Sequence, residues 1–403
     1  MFVFKHTWEQ RELGEVVKEV TRNDPTSEAP IMMITANNGF IEQSERYAFN
    51  NAGESLKKYI LLEKGELAYN HGASKLRPYG SCFALTTAEN ARIPFVYHCF
   101  SVENQNAEFM SIELNSSEIE NQLRKIVSSG ARMDGLLNIS FDEYSSVSVV
   151  LPSIEEQDRI AGFLRNLDRL ITLHQRKYDK LTKVKKAMLE KMFPKNGRLY
   201  PEIRFKGFTD AWEQRELGDI VDRVVRKNTN NESALPLTIS AQYGLVDQIT
   251  YFNNRVASRD VSNYYLVLNG EFAYNKSTSD GYPFGAIKRL DLYEKGVLST
   301  LYIVFVPKNE QNINSDFLTV YFDTDRWHKG VAERAAEGAR NHGLLNISAE
   351  DFLDIELSIP KDLAEQKQIG EFIRSLDRLI TLHQRKLEKL KNIKKACLEK
   401  MFV

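Results

Sequence analysis

Residues 167–177 read LDRLITLHQRK, and residues 376–386 read LDRLITLHQRK again, 209 positions later. Working outward from that pair, the whole chain separates into two copies. WEQRELG stands at 8–14 and at 212–218, AYN at 68–70 and 273–275, GLLNIS at 135–140 and 343–348, and LEKMF at 189–193 and 398–402. The anchors keep one order, and their offset drifts only from 204 to 209. Between them the copies part: residues 31–64 and 236–269 have little in common. The chain is a tandem duplication in which nearly constant segments alternate with segments free to diverge. Its period exceeds by far the roughly 20–50 residues of a stacked solenoid repeat.

The constant stretch lies inside a longer run. Residues 154–193 contain no proline and one glycine, Gly162. Ile160, Leu164, Leu167, Ile171, His174, Tyr178, Leu181, Lys185, Met188 and Met192 follow one another in steps of four and three, the heptad seam of a coiled coil. Ile369, Ile373, Leu376, Ile380, His383, Leu387, Leu390, Lys394, Cys397 and Met401 repeat the register. Pro152 and Pro360 precede the two runs, and Pro194 stops the first. Roughly 40 residues at a rise of about 1.5 Å give a rod of about 60 Å. A narrow seam needs a facing seam, and the other copy supplies one. Because each rod follows its own lobe, pairing by a pseudo-twofold is expected to run antiparallel, with the lobes at opposite ends. His174 and His383, near the midpoints, are then expected to meet as polar seam residues that fix register, not as metal ligands or catalysts.

The expected organisation is a lobe over residues 1–150, a helix over 151–195, a second lobe over 196–358 and a second helix over 359–403. Within the lobes, short β runs bounded by Gly, Asn and Pro are predicted at 59–62, 66–70, 95–102, 146–151, 235–240, 271–275, 298–306 and 355–359, and helices at 106–126 and 315–334. The fold class is α+β: two tandem, pseudo-twofold-related lobes of mixed helix and strand, joined by two long antiparallel coiled-coil helices.

Composition narrows the function. Among 403 residues, 54 Lys and Arg oppose 55 Asp and Glu, for a net charge of −1. The balance is local, however: the lobes carry −6 and −5 and the helical segments +5 each. Cys82, Cys99 and Cys397 show no CxxC spacing, which suits a reducing cytoplasm and offers no zinc site. No apolar run is long enough to cross a membrane, so no membrane partner is expected. No glycine precedes a lysine, no Gly-x-Gly, Pro-Pro or HExxH occurs, and no metal-ligand spacing is present. Phosphate loops, dinucleotide folds, methyl-transfer motifs and zinc-hydrolase motifs are thereby missing. The chain reads as a non-enzyme that binds no cofactor or metal of its own.

The WEQRELG opening, the IRFKGFTDAWEQRELGD junction at 203–219 and the proline–EQ–long-helix segments (Pro152 with Glu156 and Gln157; Pro360 with Glu365 and Gln366) resemble the specificity (S) subunits of type I restriction–modification systems, over essentially the whole chain. The resemblance implies that each lobe is a target recognition domain reading one half of a split sequence in double-stranded DNA. It also implies that the helices act as spacer and dock two methyltransferase (M) subunits, with motor–nuclease (R) subunits completing the complex. S-adenosylmethionine, ATP and Mg then belong to those partners. A rival from another class is an assembly scaffold, or an orphan specificity subunit, that holds methyltransferase without functional restriction.

Two loops are candidates for DNA contact. The loop after AYN runs HGASKLRPYGS at 71–81 and KSTSDGYPFGAIKR at 276–289, offering Lys75, Arg77, Lys276, Tyr282, Lys288 and Arg289. The other reads SGARMDG at 129–135 and EGARNHG at 337–343. There Arg132 and Arg340 suit a phosphate, and the divergent next pair, Asn341 and His342 in the second copy, suits bases. The negative charge of the lobes predicts useful affinity only within a complex, with steep salt dependence.

Overall fold

The computed structural model describes residues 8–36, 39–46, 53–127, 136–195, 197–240, 243–308, 313–335 and 343–401. It comprises two units, Met1–Leu173 with Leu387–Val403, and His174–Lys386. Each unit holds one lobe and a part of both long helices.

The lobes are one antiparallel construction made twice. In the first, a four-stranded sheet runs Val17–Glu19, His98–Val102, Leu67–Asn70, Ser81–Ala84; in the second it runs Val221–Val224, Ile303–Pro307, Phe272–Asn275, Ala286–Arg289. A hairpin of Met32–Thr35 with Gly39–Glu42 answers Leu237–Ser240 with Gly244–Asp247. Ile60–Glu63 pairs with Asn90–Ile93 as Tyr265–Leu268 pairs with Lys295–Leu298. The two segments whose sequences share least thus build the same hairpin and strand. The constant WEQRELG contributes a strand, Glu9–Glu12 or Glu213–Glu216, which pairs with the strand leading into the long helix, Ser148–Leu151 or Glu356–Ile359.

The long helices span Ile154–Lys191 and Leu363–Met401, 38 and 39 residues, about 57 Å each. They run antiparallel, and the pairing is visible within each unit. In the first, the Lys394 ammonium lies 2.6 and 2.8 Å from the Asp168 carboxylate oxygens. In the second, Lys185 lies 2.7 Å from Asp377. These are one pair repeated, since Asp377 and Lys394 are Asp168 and Lys185 displaced by 209 positions.

The heptad residues divide their work. Leu164 and Leu167, like Ile373 and Leu376, are buried in the core of a lobe, whereas Ile171, Leu181, Ile380 and Leu390 are half-buried. Each lobe core takes the start of one helix and the end of the other: Ile160 and Leu164 with Leu390, Ile393 and Cys397, and Ile369 and Ile373 with Leu181, Val184 and Met188. The EQ motif fastens this arrangement. Buried Gln157 donates to the Pro152 carbonyl (3.0 Å) and accepts from the Asn106 N–H (3.0 Å); Gln366 does the same with Pro360 (2.9 Å) and Asn314 (2.8 Å).

Several expected elements are subdivided. The helix predicted over 106–126 is two, Ala107–Glu113 and Ser117–Ile126, because the Ser116 side chain accepts from the Ile119 N–H and starts a new N-terminus. The one predicted over 315–334 is likewise Ser315–Tyr321 and His328–Arg334. The strand expected over 298–306 breaks between Leu298 and Ile303 at a turn closed from the Tyr302 N–H to the Ser299 carbonyl. The expected loop 276–289 ends early, in the strand Ala286–Arg289.

Candidate nucleic-acid interface

The loop after AYN is held by an identical frame in both lobes, and the triplet explains itself from it. Ala68 and Ala273 are fully buried in the sheet. Asn70 and Asn275 turn the chain out of the strand by accepting, on the side-chain oxygen, the N–H two residues on, that of Gly72 (2.9 Å) or Ser277 (3.0 Å). The Tyr69 hydroxyl donates across the loop to the Tyr79 carbonyl (2.6 Å), as Tyr274 does to Phe284 (2.9 Å). Burial drives both phenols well above their ordinary pKa, so they remain donors. Gly80 and Gly285 close the loop at φ +82° and +75°. A Cβ on either would run into the carbonyl oxygen of Asn70 or Asn275 and the tyrosine ring, so no other residue fits.

Within that frame a four-residue turn makes the tip. The Ser74 N–H donates to the Arg77 carbonyl (3.0 Å) and the Ser279 N–H to the Tyr282 carbonyl (3.3 Å). The shared residues, Ser, Pro, an aromatic and Gly, build the frame; the tip reads Lys75-Leu76-Arg77 in one lobe and Asp280-Gly281-Tyr282 in the other.

The second candidate loop returns beside the first. Leu137 donates its N–H to the His71 carbonyl (2.9 Å) and Leu345 to that of Lys276 (3.0 Å), while Gly72 bridges Leu136 and Ser277 bridges Leu344. In the second lobe the Thr278 N–H and hydroxyl both reach the Gly343 carbonyl, at 2.7 and 2.9 Å. Arg132, Arg340, Asn341 and His342 themselves lie outside the described residues.

The remaining candidates occupy different positions. Lys75 is exposed at the tip beside Leu76 (64% exposed), and Tyr282, at the place of Arg77, is 39% exposed. Arg77, half-buried, donates to the Asn115 carbonyl (2.8 Å), and Lys276 donates to the Ile347 carbonyl (3.2 Å). Lys288 and Arg289 stand in a strand rather than a loop. Lys288 pairs with Asp323 at 2.6 Å; Arg289, only 9% exposed, bonds Asp291 (2.6 Å), Ser315 (2.7 Å) and Asp316 (2.8 Å). These two cations therefore face carboxylates of their own lobe.

That ionic cluster marks a difference between the copies. Asp323 also receives Lys185 of the long helix at 3.3 Å. Burial raises its pKa, but Lys288 and Lys185 outweigh burial and hold it below the ordinary value. In the first lobe the corresponding residues are neutral, Asn115 for Asp323 and Phe83 for Lys288, and Glu113 stands where the second lobe has Tyr321. Both Glu113 and Tyr321 accept the matching strand N–H, of Val150 (3.0 Å) or Ser358 (3.2 Å). A cavity of about 850 Å³ lies here, lined by Phe83, Glu113 and Asn115 together with Lys394. Burial pushes the Glu113 carboxyl up to about 7.

Comparison with known proteins gives this geometry its context. Residues 209–392 match the family described as the type I restriction modification DNA specificity domain. This half of the chain is a DNA specificity domain. The first half repeats its architecture strand for strand. A curated relative, the specificity subunit of the type I restriction enzyme MjaVIII from Methanocaldococcus jannaschii, is 24% identical over 300 residues, which are 71% of this chain and 67% of that protein. Among solved structures, the S subunit of a type I restriction–modification system from M. genitalium superposes with a TM-score of 0.58 at 14% identity, covering 100% of this chain and 98% of that one. That likeness establishes the shared fold.

The Gly-Ser-Pro-aromatic frame was legible in the sequence as a loop. Asp280 was not singled out there, although aligning the copies at their 205-residue offset sets it opposite Lys75.

Proposed function

We propose that the chain reads a bipartite sequence in double-stranded DNA, one half-site per lobe, and leaves catalysis to other subunits. The observation that carries this reading is the loop frame built twice with different tips: identical hydrogen bonds from Tyr69 and Tyr274 and identical glycine closures present Lys75-Leu76-Arg77 in one lobe and Asp280-Gly281-Tyr282 in the other. Two scaffolds of one shape with unlike tips are what two different half-sites require. The unbroken helices, each contributing to both units, set the unread gap between them. Lys75, Arg77, Tyr282 and the segments around Arg132, Arg340, Asn341 and His342 are the proposed contacts; Lys276, Lys288 and Arg289 support the loops from within.

The helices also dock methyltransferase subunits in this proposal. Leu170 and Leu173 on the first helix, and Leu379 and Leu382 on the second, are 42 to 45% exposed. They are one apolar pair in duplicate, which suits two copies of a partner. S-adenosylmethionine, ATP and Mg are held by the methyltransferase and motor–nuclease subunits, and the complex works in the cytoplasm. With net negative lobes, tight binding depends on the phosphate contacts of those partners and falls steeply with salt.

Mapping methylated bases in cells that express this chain with its methyltransferase partner tests the proposal. A motif of two short specified tracts around an unspecified gap is expected; a single continuous motif, or methylation without sequence preference, would refute it.

A further inference from the structure

We infer that the second residue of the tip turn, Lys75 in the first lobe and Asp280 in the second, is a base-reading position, and that its reversed charge selects opposite base edges: a guanine for Lys75 and a cytosine for Asp280. The inference rests on the reading that the lobes bind DNA, and it names a specificity-determining residue in each.

Four observations converge on this position. First, the frame places the two residues equivalently, one step after Ser74 or Ser279 in a turn closed by the same backbone bond. Second, both side chains are exposed and have no hydrogen-bond or ion-pair partner among the described residues. In this they differ from Arg77, Lys276, Lys288 and Arg289, whose cationic heads are engaged within their own lobes. Third, the loop's flanks are pinned on both sides, by the tyrosine hydroxyl and by the strand-like bridge to Leu136 or Leu344, so the tip is presented by a fixed base. Fourth, the charge reverses.

The reversal separates base reading from phosphate holding. A phosphate presents the same negative oxygens at every step of the duplex, so a phosphate anchor duplicated with its frame keeps its cation in both copies. Asp280 cannot take that role. Base edges, by contrast, differ in sign: guanine offers two acceptors, O6 and N7, in the major groove, which suit an ammonium, and cytosine offers the N4 amino donor, which suits a carboxylate.

The test maps methylated motifs of the full chain expressed with its methyltransferase partner, wild type against single variants. Lys75→Asp is expected to change one position of the first lobe's half-site, shifting preference away from guanine by about tenfold or more, with the second half-site unchanged. Asp280→Lys is expected to do the converse. Asp280→Asn should move the second lobe's preference from cytosine toward adenine, whose N6 and N7 match a carboxamide, and Lys75→Arg should keep guanine. The inference is overturned if Lys75→Asp and Asp280→Lys leave both half-sites unaltered while methylation persists. It is also overturned if the variants, folded by circular dichroism and thermal melting, lose methylation on every sequence alike, since that marks a backbone anchor. A wild-type complex with no split motif would instead sink the underlying reading, and the inference with it.

Discussion

His174 Nδ1 lies 2.8 Å from His383 Nδ1, with the ring centroids 5.0 Å apart. Each residue is the other's copy, within an identical stretch of eleven residues. A hydrogen bond between two like nitrogens needs one to donate and the other to accept, so the two imidazoles take different tautomers. Within that identical stretch the symmetry is broken by the placement of one proton.

That contact makes the helix pair acid-sensitive. Burial lowers the pKa of His383 first, and His174, Lys177 and Lys386 lower it further. With the folded value below the ordinary 6.5, the unfolded chain binds more protons as pH falls past about 6.5. Stability from this pair is therefore full above that pH and is lost as pH falls toward the folded value. The melting temperature should drop between pH 7.5 and 5.5, and the drop should shrink in a His174→Gln/His383→Gln double variant. Parallel pH profiles for the two proteins would exclude the mechanism.

Asp323 joins the second lobe to the helix through Lys185 and Lys288. Replacing it with Asn leaves the half-buried Lys288 ammonium facing a neutral amide and Lys185 with Asp377 as its carboxylate, at a cost of about 2–3 kcal/mol, below the full penalty for a deeply buried pair because the cluster is partly solvated. Because its pKa is held down, the stabilisation is present above about 3.8 and lost below it. Denaturant unfolding of Asp323→Asn should show the loss, whereas Asn115→Ala, at the uncharged counterpart, should leave the acid profile as it is.

Gly285→Ala forces a left-handed backbone on a residue with a Cβ and drives that carbon into the Asn275 carbonyl oxygen. The strain alone is of order 1–3 kcal/mol, and the tip turn is expected to shift. Methylation at the second lobe's half-site should fall while the first half-site keeps its preference, the converse of Gly80→Ala. Unchanged motif selectivity in both variants would show that the frame does not position the tip.

Gln366→Leu removes the partner of both the buried Pro360 carbonyl and the half-buried Asn314 N–H, where the lobe meets the long helix. Two unsatisfied groups at about 1–3 kcal/mol each predict a loss of several kcal/mol, readable as a shift of the urea midpoint. Gln366→Glu keeps the acceptor and forfeits the donor, so it should recover part of the loss.

The duplication, both long helices and the position of the divergent loops were legible from repeated strings and heptad spacing. The WEQRELG strand was not, because its partner at Ser148–Leu151 lies some 140 residues away and the strand itself is mostly exposed, with no alternation to read. The loop candidates resolved by partner: Lys288 and Arg289 look like DNA contacts in a string of residues, yet Asp316 in the helix Ser315–Tyr321 and Asp323 in the turn after it, some 30 residues along the chain, claim them.

Sequence alone determined that there are two copies, that constant helices alternate with divergent lobes, and that the helices need each other's seam, because periodicity and identity are local properties of the string. Only the tertiary structure decided which charged side chains remain free at the loop tips and which are neutralised within a lobe. Those facts depend on contacts between residues distant in the chain, where the cost of leaving a buried charge unpaired, rather than residue type, settles each side chain's partner.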